Sequence, residues 1–216
     1  MSVFAHSDEF NQPNDLAITD SGVIFLSDSN WNNQTGNVWR VDTNGEISLV
    51  ESGMSTTNGI EVSPDQTRLY VGESVSGDVW RFDLDASGHA SNKQLFHRFI
   101  DNNFPNCQQD GMRTDVDGNL YVTRHHGQRI DVLSPEGTII KEYPLLGECP
   151  SNIAFGGDDG MTAYVTLQDK GWVESFRVDR PGRSWQMYTN NRNGSCSSTA
   201  VGSVGLLVCF FQALFQ

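Results

Sequence analysis

Four oxygen-bearing side chains recur at one phase of the chain: Asn14, Asn58, Asp110 and Ser151. Amide, carboxylate and hydroxyl oxygens, with no sulfur or imidazole among them, make the donor set of a hard cation. The carboxylate can also serve as a general base. Each residue opens a phrase that the chain restarts: Asn14-Asp15-Leu16-Ala17-Ile18, Asn58-Gly59-Ile60-Glu61-Val62, Asp110-Gly111-Met112-Arg113-Thr114 and Ser151-Asn152-Ile153-Ala154-Phe155. The steps are 44 residues (14 to 58), 52 (58 to 110) and 41 (110 to 151), the period of a blade array and not of a helical repeat.

The elements that carry these residues follow from short runs of alternating hydrophobicity broken by turn chemistry. In the first unit, Leu16 to Ile18 is followed by the turn Asp20-Ser21-Gly22, then Val23 to Leu26, a polar loop, Val38 to Val41, the turn at Asn44-Gly45, and Ile47 to Val50. That makes four strands. The third strand returns as Val79 to Phe82, Ile130 to Leu133 and Val173 to Phe176. The chain is therefore expected to be all-β, a β-propeller of four-stranded blades with about four blades present. Residues 1–179 are expected to form one partial propeller domain, with Met1 to Asp8 adding a lone strand through Val3, Phe4 and Ala5. Residues 180–216 fall outside the repeat, an Asn-, Arg-, Gly- and Ser-rich stretch predicted irregular and then an apolar tail. The apolar run, Ala200 to Phe215, is short for a membrane span, which needs about 20 residues.

In a radial array, equivalent residues are related by rotation about the axis. The four phrase openers then form a ring at one mouth of the central channel. Asn-Gly and Asp-Gly are also strong hairpin signals, so Asn58-Gly59 and Asp110-Gly111 can alternatively be read as turns. The hairpins already have turn residues at Asn44-Gly45 and Asp117-Gly118, however, and the ring positions follow linkers such as Ser55-Thr56-Thr57 and Pro105-Asn106-Cys107.

A net charge of −13 and a pI near 4.6 exclude nucleic acid and anionic membrane surfaces as natural partners, since both would meet a field of their own sign. A cation is the better fit. No Gly-x-Ser-x-Gly elbow occurs, which leaves serine-hydrolase chemistry without support. The four cysteines have neither zinc-site nor disulfide spacing, and His125-His126 has no ligand partner at metal spacing. Without an apolar targeting segment, a cytoplasmic location is expected.

At these phrases the chain resembles the gluconolactonases and the related senescence marker protein (regucalcin) family. The resemblance is carried by Pro13-Asn14-Asp15-Leu16; by Thr57-Asn58-Gly59-Ile60 with Ser63-Pro64-Asp65; by Asp110-Gly111-Met112-Arg113 with Asp117-Gly118-Asn119; and by Pro150-Ser151-Asn152-Ile153. It implies a six-bladed propeller with a divalent cation in the channel, Ca²⁺ first and Mg²⁺, Mn²⁺ or Zn²⁺ behind it, and hydrolysis of a sugar lactone. By the same resemblance Asn58 and Asp110 are metal ligands, Asp110 is also the base that activates water, and Asn14 contacts substrate. Arg113 and His125 are further candidates for substrate contact. A third metal ligand, a glutamate in a Glu-Gly-Pro phrase, is expected from a first blade that this chain does not contain. A non-catalytic, incomplete propeller that binds a partner is the alternative, with self-association through unclosed blade edges.

Overall fold

The computed structural model describes residues 1–100 and 108–194, with side chains described through residue 189. Pro105-Asn106-Cys107, Cys196, Cys209 and the apolar tail lie outside the described residues. Four antiparallel sheets follow one another in chain order. Blade 1 holds β1 (Pro13–Ile18), β2 (Ile24–Asn30), β3 (Thr35–Val41) and β4 (Ile47–Met54). Blade 2 holds β5 (Thr57–Val62), β6 (Arg68–Glu73), β7 (Asp78–Leu84) and β8 (Ala90–Arg98). Blade 3 holds β9 (Gln108–Thr114), β10 (Leu120–His125), β11 (Arg129–Leu133) and β12 (Ile139–Pro144). Blade 4 has three strands, β13 (Pro150–Gly156), β14 (Thr162–Leu167) and β15 (Trp172–Arg177).

The innermost strands β1, β5, β9 and β13 pack side by side around the axis. Burial follows from that position. Every residue of β5 is buried because blades 1 and 3 cover both of its faces, whereas most of the outermost strand β12 is exposed. Apolar side chains fill the seams between blades: Phe25, Val38, Ile60 and Leu69 between blades 1 and 2, Tyr70, Met112 and Leu120 between 2 and 3, Tyr121, Ile153 and Val165 between 3 and 4. Among the described residues the outer flank of blade 4 has no such cover, and Tyr164, Trp172 and Val173 are exposed there.

Three sequence expectations change. The segment through Val3 and Phe4 is not a strand and both side chains are exposed. Blade 1 already completes its four strands from residues 13–54, so the alternating pattern has no ladder to join. Second, blade 4 has no fourth strand among the described residues. After Val178 the chain turns across the lower ends of blades 3 and 4, where Val116 N–H donates to Pro181 O (3.0 Å) and Gly182 N–H to Gly160 O (3.1 Å). Third, the stretch expected to be irregular contains α1 (Arg183–Gly194). Its Asn-rich sequence is a weak helix former and its first turn carries no acid. Docking holds it: Arg183 is buried, and Trp185 packs over Gly160, whose φ of +72° suits a residue without a side chain.

Candidate functional site

Each innermost strand breaks register at its ring residue. Pro13 faces Asp28 but Leu16 faces Leu26; Thr57 faces Glu73 but Ile60 faces Val71; Gln109 faces Arg124 but Met112 faces Val122; Pro150 faces Leu167 but Asn152 faces Thr166. One extra residue has been inserted each time, a β-bulge at the same phase of all four blades. A bulge bends the strand and re-aims its side chains. Asn58-Gly59 and Asp110-Gly111 are thus bulges inside strands and not hairpin turns, and neither glycine has a positive φ. Glycine is required there by close approach: a Cβ on Gly59 would strike the carbonyl oxygen of Asp110, and one on Gly111 would strike Asn152.

The backbone groups freed by the bulges are satisfied by hydroxyls on the second strand. Ser27 Oγ accepts from Asp15 N–H (3.1 Å), Thr123 Oγ1 donates to Gly111 O (2.9 Å) and Thr166 Oγ1 accepts from Asn152 N–H (3.0 Å). Carboxylates fix the incoming linkers in the same repeating way. Asp28 accepts from the N–H of Asn11 (3.0 Å) and Gln12 (2.7 Å), Glu73 from Ser55 N–H (2.9 Å), and Asp169 from Cys149 N–H (3.0 Å). None of these supports was read from the sequence, although Tyr121-Val122-Thr123 and Tyr164-Val165-Thr166 repeat in plain view.

Asn58 and Asp110 come together at the mouth. The Asn58 amide lies within hydrogen-bonding reach of the Asp110 carboxyl. Asn58 is buried, and its orientation is fixed. Ser74 Oγ gives its proton to Gln109 O (2.8 Å) and therefore accepts from Asn58 Nδ2 (3.0 Å). The other amide atom, Oδ1, is buried with no hydrogen-bond partner among the described residues. A buried acceptor without a partner costs about 1–3 kcal/mol, a cost that a cation or water bound at that position would remove.

The Asp110 carboxyl keeps a partly accessible edge but is closely surrounded by protein atoms. Burial first, and then the nearby Asp15 carboxylate, push its pKa up to about 8 against the opposing hydrogen bonds from Asn58 and Gly111. Among the described residues no Lys or Arg pairs with it.

Farther down the channel the acids are matched. Arg113 donates to both oxygens of Asp15 (3.0 and 3.2 Å) and stands 3.9 Å from Glu61. Arg183, carried across by the segment that opens α1, donates to Glu61 Oε1 (3.1 Å) and to Ile18 O (2.9 Å). Burial still raises the Glu61 pKa despite its two arginines. The guanidinium of Arg113 is thus turned to the channel acids below the mouth. Asn14 sits in the β1 bulge at the mouth, while Ser151 is tied to its own blade through Thr166 Oγ1 (2.8 Å). His125 lies at the mouth end of β10, where its Nε2 bonds Gln168 Oε1 (2.8 Å).

An all-β radial array of successive antiparallel sheets, with Asn58 and Asp110 meeting where two innermost strands adjoin, defines a β-propeller. The chain belongs to the SMP-30/Gluconolactonase/LRE-like region family, whose pattern it matches over residues 1–169. It is 32% identical over 177 residues to a gluconolactonase of Zymomonas mobilis, a match covering 73% of this chain and 48% of that protein. Pentonolactonase XacC of Haloferax volcanii is 28% identical over 153 residues, covering 71% of this chain and 52% of the relative. Among solved structures, the calcium-binding protein regucalcin from Agrobacterium tumefaciens superposes with a TM-score of 0.68 at 21% identity, over 79% of this chain and 62% of that one. The chain spans about half the length of the curated relatives it matches.

Proposed function

We propose that this chain carries the metal-binding and base-bearing portion of a divalent-cation-dependent sugar lactonase. The observation that carries the reading is the mouth pair: a buried amide oxygen of fixed orientation that has no partner among the described residues, beside a carboxyl that no cationic side chain among them neutralises. Both are hard oxygen donors and fit Ca²⁺, with Mg²⁺, Mn²⁺ and Zn²⁺ behind it. Asn58 Oδ1 and the Asp110 carboxylate would hold the ion. When bound, a divalent cation supplies a Lewis acid that polarises a lactone carbonyl.

The rest is done by the chain's own residues. Asp110, ionised, takes a proton from the attacking water as the new C–O bond forms. The ring C–O bond then breaks, the departing oxygen recovers a proton, and the hydroxy acid leaves. Asn14 presents its amide to a sugar hydroxyl across the mouth. Arg113 and Arg183 neutralise Asp15 and Glu61, which leaves Asp110 as the carboxyl available at the mouth.

The test is a pH-stat assay on gluconolactone with Ca²⁺ and with a chelator. Asp110→Asn is expected to lower the cation-dependent rate by about 10²-fold or more, the usual contribution of a general base. Equal rates with and without cation, or in the variant and the parent, refute the reading.

The second reading, a non-catalytic incomplete propeller that associates with a partner or with itself, is favoured by the open flank of blade 4, where Trp172 and Val173 are 48% and 57% exposed. Sedimentation across a concentration series distinguishes the two.

A further inference from the structure

A second group of ligand-type side chains meets at the same face of the propeller, away from the axis in the seam between blades 3 and 4. His125 and His126 form the corner after β10, and Cys149 lies in the linker that enters β13. One ring nitrogen of each histidine and the Cys149 sulfur all lie within 4.8 Å of one another. Cys149 Sγ is 3.4 Å from His126 Nδ1. Ligand atoms at a Zn–S bond of about 2.3 Å and a Zn–N bond of about 2.0 Å stand about 3.5 Å apart at the tetrahedral angle, so that pair is already at ligand spacing. The His125 ring sits edge-on to His126 at 4.4 Å between centroids, and His126 is exposed.

We propose that His125, His126 and Cys149 form a second cation site, softer than the oxygen ring, which takes Zn²⁺ or a divalent cation of like preference and clips blade 3 to blade 4.

The surroundings have the character of a ligand site. Gln168 Oε1 can only accept, so its bond to His125 puts that ring's proton on Nε2 and leaves Nδ1 with its lone pair. Metal-bound histidines are commonly steadied in this way through the nitrogen that does not bind. The Cys149 backbone is held from both sides, its N–H by Asp169 Oδ1 (3.0 Å) and its carbonyl by Gln168 N–H (3.0 Å). The thiol is buried, and its pKa is raised by that burial and then by the Asp169 carboxylate. The Asp169 carboxylate, which adds to the penalty on a bare thiolate, favours a cation bonded to one, and binding releases the thiol proton to solvent. His126 holds φ at +61°, in a region side-chain-bearing residues seldom occupy, and this turns its ring back toward the linker. Three protein ligands leave a fourth position to water on the exposed side, the arrangement of an open zinc site.

Co²⁺ is the probe, added to a chain in which Cys107, Cys196 and Cys209 are changed to serine so that Cys149 is the sole thiol. One equivalent is expected to give the near-ultraviolet sulfur-to-cobalt charge-transfer band, and Zn²⁺ is expected to abolish it by displacement. Cys149→Ser should remove the band, and His126→Gln should weaken Co²⁺ binding by about tenfold or more. Asp110→Asn should leave the band in place, which separates this site from the channel mouth. A folded parent without a sulfur-to-cobalt band at saturating Co²⁺ overturns the proposal. A band that survives Cys149→Ser, or one that disappears in Asp110→Asn, overturns it equally.

Discussion

The two ends of the central channel are built from the same kind of residue and are left in opposite electrostatic states. At the lower end Glu61 is paired with Arg183 and faces Arg113, and above it Asp15 is paired with Arg113. At the mouth Asp110 has no such partner among the described residues, and Asn58 Oδ1 beside it is unsatisfied. One end is neutralised from within the chain. The other is left unmatched among the described residues. The difference separates two states of a buried acid: held as a salt bridge, it fixes the approach of blades and helix; left unmatched, it carries an energetic cost that a bound cation would relieve.

The lower end should respond most strongly to substitution. Arg183→Leu removes the nearest positive charge from Glu61 and leaves that buried carboxylate with Arg113 alone at 3.9 Å. Breaking one partner from a buried pair costs about 3–5 kcal/mol, so denaturant unfolding should show a loss of that order. The same change at the mouth has the opposite sign. Asp110→Asn keeps the shape, removes a charge that burial disfavours, and should stabilise the metal-free chain. Equal destabilisation by both variants would erase the contrast between the ends.

A pH series sharpens the contrast without mutation. The Asp110 pKa is raised to about 8 in the folded protein, against about 3.9 for an aspartate in unfolded chain. Its contribution to stability is therefore fully present below about pH 4 and is lost as pH rises toward 8, at up to about 1.4 kcal/mol per pH unit. Metal-free protein should unfold more easily across that window, and Asp110→Asn should flatten the slope. Added Ca²⁺ acts in reverse, because the ion takes the place of the proton, so its stabilising effect should grow as pH rises. A thermal midpoint that is insensitive to pH from 5 to 8 in the chelated parent contradicts the assignment of Asp110 as an uncompensated acid.

How far this contrast could be read from the sequence depends on the range of the interactions involved. The blades were legible because a strand and its turn are local: Asn58-Gly59-Ile60 and Asp110-Gly111-Met112 restate one pattern at near-constant spacing. The approach of Asn58 to Asp110 was legible because rotation converts equal phase into proximity. The lower end was not, since Arg183 meets Glu61 across 122 residues from a segment with weak helix propensity and no repeat phase. The lone strand at Val3 to Ala5 failed for a related reason, because alternation specifies a face but not a partner. His125-His126 was read as having no ligand partner at metal spacing, and Cys149 lies beside the pair only because the seam that joins them is a tertiary contact between linkers, which spacing along the chain does not reveal.

The smallest effect on stability belongs to Asn58, and there the two ends differ in kind. Asn58→Ala gives up the amide's bonds to Ser74 and toward the Asp110 carboxyl, worth about 1 kcal/mol each, but also deletes the buried oxygen whose lack of a partner costs about 1–3 kcal/mol. These terms oppose each other, so the metal-free variant should unfold within about 1–2 kcal/mol of the parent, and Ser74 keeps its own bond to Gln109 O. What should disappear is the response to cation. A ligand that binds only the native state raises the unfolding midpoint by mass action, and with Oδ1 gone millimolar Ca²⁺ should leave that midpoint where it was. Arg183→Leu, by contrast, should lower the midpoint yet keep the Ca²⁺-dependent rise, because the mouth donors are untouched. If Asn58→Ala retains the full rise, the amide oxygen has another role and the mouth is not the cation site.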